Sequence, residues 1–147
     1  MRIGLASDHR GYKLKEYLKE TLPVHNYEVE DFGTNNEEST DYPDYAFALG
    51  EAIVSKKVDM GVAICGSGIG ISIACNKVKG VRCARVTTKE DAIVTRIDND
   101  SNIVAFSEKI SREDALEIVK AFIETNHSIE EKHHRRVNKI KLYEEEH

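Results

Sequence analysis

Short apolar runs alternate along the chain with segments whose apolar residues recur at helical spacing. One run, MGVAIC (60–65), is apolar throughout, as strands buried on both faces of a parallel sheet are. Another, YEVEDF (27–32), alternates in polarity and is typical of an edge strand. The predicted strands are RIGLAS (2–7), YEVEDF (27–32), MGVAIC (60–65), VRCARV (81–86) and NIVAF (102–106).

The segments between the strands carry helical patterns. The segment SREDAL begins at Ser111 with a residue type that caps helices, followed by acidic residues in the first turn. Alternating strands and helices predict one α/β domain over residues 1–147, a Rossmann-like three-layer sandwich with a parallel sheet of about five strands. The predicted helices cover 11–22, 45–57, 70–78, 88–97, 111–126 and the charged tail at about 128–145, and a polar loop covers 33–44.

Composition and charge exclude several classes of protein. The 147 residues are 32% charged and 40% hydrophobic, which is typical of a globular domain with its own core. The net charge of -5 argues against a general nucleic-acid-binding protein. No apolar stretch approaches the roughly 20 residues that span a bilayer, and MRIGLASDHR is too polar for a signal peptide. We expect neither a nucleic-acid partner nor a membrane partner.

The three cysteines are odd in number and lack the spacing of metal ligands, so we expect reduced thiols in the cytoplasm and no metal site. Cys75 and Cys83 fall within a predicted helix and a predicted strand, and we interpret them as structural. Cys65 ends a strand just before a glycine-rich turn. Two interpretations of Cys65 stay open, a packed structural thiol and a reactive one.

Ligands of parallel α/β folds bind outside the carboxyl ends of the strands. After the third predicted strand, Gly66, Gly68 and Gly70 open a helix. Such a turn leaves backbone N–H groups unpaired beside a positive helix end, which favours an anion or oxyanion and the thiolate form of Cys65. The predicted strand ends carry Ser7-Asp8-His9, Cys65-Gly66-Ser67, Val86-Thr87-Thr88 and Ser107 onward.

The glycine pattern does not fit several common sites. A dinucleotide fingerprint has a different spacing and an acidic residue where Thr87 and Thr88 stand, and no P-loop sequence is present. A serine-hydrolase elbow would need glycine at Cys65. A receiver domain would need aspartate at Cys65, and a cysteine phosphatase would need arginine at Ile71.

Several blocks in a fixed order resemble a known family. From about residue 2 to residue 140, the chain is similar to ribose-5-phosphate isomerase B and its relative galactose-6-phosphate isomerase. The resemblance implies cofactor-free interconversion of aldose and ketose phosphates through an enediolate. It also implies a homodimer or homotetramer with active sites shared between subunits, and the C-terminal helix is expected to contact a partner subunit. The blocks are SDHRGYKLK, DFGT, TDYPDYA, CGSGIGISIACNKV, NDSNIVAF and HHRRV.

The resemblance also implies roles for individual residues. Cys65 matches the position of the base, and Ser67 fills a position where threonine or serine is usual. The resemblance places Asn99 on the neighbouring subunit and Tyr42 in the pocket lining. The remaining implied positions are the amide cradle for the enediolate oxygens (Ser67, Gly68, Ile69 and Gly70), a glycine that lets the backbone approach the substrate (Gly66), the sugar and phosphate contacts (Asp8 and His9) and the phosphate-binding residues (Lys109, Lys132, His133 and Arg136).

Three positions depart from the family pattern. Lys109 and Lys132 stand where the family has arginines, and lysine lacks the bidentate fork of a guanidinium. Asp98 stands where the family carries the histidine that opens the sugar ring. We expect that Asp98 does not simply replace that histidine, and that ring opening falls to Asp8 or His9 or is avoided by use of open-chain substrate.

Alternative functions stay open on the same residues. Asp98, Lys109 and Lys132, the three positions that depart from the family pattern, lie where the site would distinguish substrates of different length. One alternative is therefore a hexose-6-phosphate isomerase acting on galactose or allose 6-phosphate. A non-catalytic nucleotide-binding α/β module is the other. It predicts that adenine nucleotides, and not sugar phosphates, raise thermal stability.

Overall fold

The computed structural model describes all 147 residues as one α/β domain with a five-stranded parallel sheet. This confirms the predicted fold class. The strands are β1 (Arg2–Ser7), β2 (Glu28–Asp31), β3 (Met60–Cys65), β4 (Cys83–Arg85) and β5 (Ile103–Ser107). The helices are α1 (Tyr12–Thr21), α2 (Tyr42–Val54), α3 (Ile69–Cys75), α4 (Lys89–Asn99), α5 (Arg112–Glu124) and α6 (Glu131–Glu146), with a short 3-10 turn at Leu22–His25.

The strand order is β2-β1-β3-β5-β4, so β1 and β3 are neighbours although β2 separates them in sequence. The helices that follow these two strands leave on opposite faces of the sheet, because α1 packs into one core cluster and α3 into the other. A crevice forms at such a switch point, outside the carboxyl ends of the two strands. The topology therefore directs a ligand to the ends of β1 and β3.

Two apolar clusters fill the spaces on either side of the sheet. Successive residues of β3 point to opposite faces of the sheet, so Val62 and Ile64 belong to one cluster and Ala63 and Cys65 to the other. Helices α1, α4 and α5 cover the first face, and α2 and α3 cover the second. Helix α6 packs outside α4 and buries only Val137.

A buried ion cluster fastens α1 to the end of the edge strand β2. Lys15 is fully buried, and its Nζ lies 2.8 Å from Asp31 Oδ2 and 2.9 Å from Glu16 Oε1. Lys19 Nζ lies 3.1 Å from the same Asp31 oxygen, and the Gly33 N–H donates to Asp31 Oδ1 at 2.8 Å. Burial opposes ionisation of Asp31, but the Lys15, Gly33 and Lys19 hydrogen bonds outweigh it and lower the pKa of that carboxyl.

Several boundaries differ from the sequence prediction. Helix α2 begins at Tyr42 rather than 45, because Pro43 fits the first helical turn. Helix α3 ends at Cys75 rather than 78, and α6 begins at Glu131 rather than 128. Strand β4 is shorter than predicted because the Arg82 N–H donates to the Asn102 side chain instead of joining the ladder.

Candidate active site

Three strand ends meet around Cys65. In the sheet register Ser7 pairs with Ile64 and Cys65 pairs with Ser107, so the loops that follow β1, β3 and β5 are adjacent. They border a cleft of about 600 Å³. Its lining residues are Asp8, His9, Arg10, Thr40, Asp41, Tyr42, Pro43, Asp44, Cys65, Gly66, Ser67 and Gly70.

The Cys65 sulfur is buried and accepts a hydrogen bond from the chain. Only 4% of the residue is exposed, and the Gly68 N–H donates to its Sγ at 3.2 Å. The Glu108 N–H donates to the Cys65 carbonyl oxygen at 2.9 Å and fixes the end of β3 against the loop after β5. An N–H donor on sulfur stabilises a thiolate, the form of cysteine that takes up a proton.

Gly68 is required by its backbone conformation and by its neighbours. Its φ is +78°, and a Cβ there would lie 2.6 Å from the Phe106 carbonyl carbon. A Cβ at Gly70 would lie 2.7 Å from the Tyr42 ring, so the tyrosine packs directly on the loop. Gly66 is different, because a Cβ there would meet nothing closer than Arg10 Cζ at 3.7 Å.

The loop amides are only partly available to a ligand. The Gly68 N–H is taken by the Cys65 sulfur, and the Ile69 N–H donates to Ser67 Oγ at 3.1 Å. The N–H groups of Ser67 and Gly70 have no acceptor within the chain. Of the four amides expected to form the cradle, two are therefore free to hold an oxyanion and two organise the loop.

The loop after β1 presents an acid and an imidazole at the cleft. Asp8 Oδ1 accepts from the N–H groups of Arg10 and Gly11 at 3.0 and 3.1 Å, and this fixes the turn into α1. His9 Nδ1 accepts from the Thr40 N–H at 3.2 Å. In its neutral form the ring then carries its proton on Nε2, which has no partner within the chain and is available as a donor.

Arg10 is a cleft residue that the sequence analysis missed. Its Nε donates to Glu108 Oε2 at 2.8 Å, which joins the loops after β1 and β5. The signal available in the sequence was a cation directly after Asp8-His9 at a predicted strand end. The partner lies 98 positions away, so the sequence alone gave no reason to connect the two.

The remaining predicted site residues lie at opposite ends of the strands: the carboxyl ends, called here the Cys65 edge, and the amino ends, called here the far edge. Lys109 lies at the Cys65 edge, exposed, with its N–H bonded to Ser107 Oγ at 3.0 Å. Asn99 lies at the opposite edge, because its carbonyl oxygen accepts from the guanidinium of Arg82, the residue just before β4. From Asn102 to Ser107, β5 and the residue before it span about 17 Å.

The other predicted phosphate-binding residues accompany Asn99. His133 Nε2 lies 3.5 Å from Asp98 Oδ1, which places α6 beside the end of α4. Lys132 pairs with Glu130 at 3.4 Å, whereas Arg136 is exposed and makes no ion pair. Within one chain, the structure brings Cys65, Asp8, His9 and Tyr42 together but leaves these residues at the far edge.

No group of three or more histidine, cysteine or carboxylate side chains is placed to hold a metal ion. None of the helices combines the length and the apolar character needed to cross a bilayer.

Comparison with known proteins identifies the family. Residues 3–140 match the family model described as Ribose/Galactose Isomerase. Ribose-5-phosphate isomerase B of Escherichia coli is 37% identical over 84% of this chain and 80% of its own length.

Solved structures match over nearly the whole chain. That of Clostridium thermocellum ribose-5-phosphate isomerase B has a TM-score of 0.95 and 43% identity, covering 99% of each chain. That of the Mycoplasma genitalium enzyme with bound ribulose-5-phosphate has a TM-score of 0.93 and 35% identity, covering 99% of this chain and 97% of its own. The chain therefore belongs to the ribose/galactose isomerase family.

Proposed function

We propose that this protein interconverts ribose 5-phosphate and ribulose 5-phosphate through an enediolate, without a cofactor, and that Cys65 is the base. The observation that supports this most directly is the Gly68 N–H on the Cys65 sulfur, next to the unpaired amides of Ser67 and Gly70. A thiolate and free amide donors are the two elements that proton transfer next to a carbonyl requires. Family membership supplies the substrate class, since its relatives are named as isomerases of this sugar phosphate.

The reaction moves one proton between two carbons. In the aldose, the Cys65 thiolate removes the proton from C2, and the electron pair forms the C1–C2 double bond while the carbonyl oxygen becomes an oxyanion. The Ser67 and Gly70 N–H groups hold that oxyanion. The Cys65 thiol then returns the proton to C1, the O2–H proton moves to O1, and the ketose results.

We assign ring opening to His9. Asp8 Oδ1 accepts from the Arg10 and Gly11 amides and holds the turn into α1, which leaves only Oδ2 without a partner, and His9 Nε2 is also free, so the choice between them rests on their chemistry. An imidazole can both accept and donate a proton near neutral pH, as removal of the anomeric proton and protonation of the ring oxygen require. Tyr42 borders the same cleft and packs on Gly70, so it closes the pocket beside the reacting carbons.

We further propose that two copies of the chain build each active site. Asn99, His133 and Arg136 lie a sheet length away from Cys65, farther than a pentose phosphate can reach. In a twofold dimer, the far edge of one copy can face the cleft of the other. Helix α6 supports this because its apolar residues Ile140 and Tyr143 are 50% and 67% exposed.

The free amides of Ser67 and Gly70 support an isomerase reaction through an enediolate. Lys109 and Lys132 stand where the family has arginines, so the length of the sugar phosphate is the property to test. A coupled assay with ribose 5-phosphate, galactose 6-phosphate and allose 6-phosphate, run on wild type and Cys65→Ala, tests the proposal. Turnover of ribose 5-phosphate with the highest kcat/KM, absent from Cys65→Ala, is the expected result. Preference for a hexose phosphate would change the substrate, and stabilisation by adenine nucleotides alone would indicate the binding module.

We also propose that the protein works in the cytoplasm. Its three cysteines are free, and Cys65 must stay reduced to act as a base. A reducing compartment supplies that condition.

A further inference from the structure

Arg10 is the one full cation in the cleft lining of a single chain. The other ionisable side chains there are three carboxylates (Asp8, Asp41 and Asp44), the imidazole of His9, the phenol of Tyr42 and the thiol of Cys65. A sugar phosphate is a dianion near neutral pH, and three carboxylates repel it. Among the cleft-lining side chains, Arg10 is therefore the one whose charge offsets these carboxylates.

The guanidinium is held over the glycine loop. A methyl group built on Gly66 would lie 3.7 Å from Arg10 Cζ and 3.8 Å from Arg10 Nη1. Arg10 therefore lies next to the residue that follows Cys65, although its side chain is half exposed. This position is within reach of a molecule bound in the cleft.

Glu108 fixes which part of the guanidinium is free. It accepts from Nε at 2.8 Å, and neither terminal nitrogen of Arg10 has an acceptor within the chain. The two terminal nitrogens together form the fork that binds two oxygens of one phosphate group. Glu108 thus restrains the side chain and leaves that fork unoccupied.

The neighbour of Glu108 indicates which end of the substrate lies here. Lys109 follows Glu108, and it is one of the two lysines at positions expected to bind phosphate. A lysine supplies charge without a fork, so the site lacks guanidinium geometry at both of these positions. We propose that Arg10, held by Glu108, binds the phosphate group of the substrate and supplies the fork that Lys109 and Lys132 cannot; this inference rests on the proposed function.

The test compares Arg10→Gln with Arg2→Gln. Arg2 is a matched control because its side chain is 49% exposed, against 54% for Arg10, and it pairs with Glu28 on the edge strand, away from the cleft. For Arg10→Gln we expect KM for ribose 5-phosphate and Ki for inorganic phosphate to rise together by about 10- to 100-fold, with kcat within about threefold of wild type. Arg2→Gln should leave all three unchanged.

The double variant Arg10→Gln/Glu108→Gln separates lost binding from repulsion by an unpaired Glu108. If Arg10 binds phosphate, KM and Ki stay raised in the double variant. Recovery of both to wild-type values would mean that Arg10 only neutralises Glu108, and the inference would be wrong. A fall in kcat with unchanged KM would also overturn it, because the guanidinium would then act on the reacting carbons.

Binding of inorganic phosphate, followed by calorimetry, distinguishes failure of this inference from failure of the proposed function. Wild-type protein that binds phosphate but turns over no sugar phosphate would contradict the proposed function, whereas weaker phosphate binding by Arg10→Gln would still support the inference. Equal phosphate affinity in wild type and Arg10→Gln would refute the inference even if the enzyme is active. Thermal unfolding of each variant confirms that the fold is intact.

Discussion

His133 of α6 faces Asp98 of α4, with Nε2 3.5 Å from Oδ1. The His133 side chain is 11% exposed and the Asp98 side chain 45%, so the imidazole lies beneath the carboxylate. The Asp98 carboxylate therefore restrains an expected phosphate-binding side chain. This contact gives Asp98 a positioning role that does not require it to open the sugar ring.

Replacing Asp98 by asparagine should affect binding more than chemistry. The amide keeps the shape of the side chain but removes the carboxylate that His133 contacts, so we expect KM to rise and kcat to fall by less than about tenfold. Steady-state kinetics on cyclic ribose 5-phosphate measures both, and Asp98→His should raise kcat by restoring a ring-opening group. A kcat loss of about 10³-fold, with open-chain substrate still turned over normally, would instead make Asp98 the acid–base group.

Replacing Cys65 by serine should keep the fold and remove the base. A hydroxyl is a much weaker acid than a thiol, so no alkoxide is available to take the C2 proton, and we expect kcat to fall at least about 10²-fold. The measurement is kcat with a thermal unfolding curve for each variant, and Cys83→Ser is the control. An unchanged kcat in Cys65→Ser would show that another group is the base.

The hydrogen bond with Cys75, and then burial, raise the pKa of the Cys83 thiol, so alkylation that inactivates the enzyme should map to Cys65.

The glycine loop offers a matched pair of substitutions. Gly68→Ala forces a side chain into a positive φ and against the Phe106 backbone, so we expect a loss of at least about 1 kcal/mol in the free energy of unfolding, together with a lower kcat. Gly66→Ala makes only an ordinary van der Waals contact with the Arg10 side chain, at 3.7 Å from Cζ, and its unfolding curve should match wild type. Urea denaturation compares the two variants. Equal stabilities would mean that the loop relaxes without cost.

Subunit mixing tests the shared site. Cys65→Ala and Asn99→Ala chains should each be inactive alone, but a heterodimer contains one site in which both residues are intact. An equal mixture should recover about a quarter of wild-type activity, because half of the dimers are mixed and one of their two sites works. Differently tagged chains show whether subunits have exchanged. Exchange without recovered activity would place each site within a single chain.

The buried ion cluster of Lys15, Lys19 and Asp31 should make the free energy of unfolding fall in acid. The pKa of Asp31 is lowered in the folded protein, so its contribution is present above the ordinary value of 3.8 and is lost as pH falls through the folded-state value. The free energy of unfolding, measured by urea at a series of pH values, should decline less steeply below pH 3.8 in Asp31→Asn than in wild type. Parallel curves for the two proteins would show that other carboxyls dominate.

Strands were easier to place from sequence than helix ends. The runs for β1 and β3 are apolar because both faces are covered, and both strands begin and end where predicted. The end of α3 depends on Asn76, whose side chain accepts from the Cys83 N–H and donates to its carbonyl oxygen across the turn to β4. Such a contact between segments leaves no periodic signal, so the helix was predicted too long.

In the candidate site too, features within one segment could be predicted from the sequence and contacts between distant segments could not. Cys65 and the glycines could be recognised because strand, turn and helix are contiguous in sequence. The Arg10–Glu108 pair could not, since it forms only when β1, β3 and β5 lie side by side. The predicted parallel sheet already implies that α4 ends at the far edge with Asn99, because the next strand begins there, whereas the position of His133 depends on how α6 packs on α4 and carries no signal in the sequence.

The position of β5 between β3 and β4 has a consequence for synthesis of the chain. The Phe106 backbone packs against Gly68, and the Glu108 N–H donates to the Cys65 carbonyl oxygen. The loop therefore depends on residues that are synthesised more than forty positions after the cysteine. During translation β3 therefore has one side unpaired, and the Cys65 loop lacks its contacts with Phe106 and Glu108, until β5 leaves the ribosome. A nascent chain released before Ser107 would carry an accessible cysteine and an open strand edge, and quality-control factors that recognise unpaired strands should bind it.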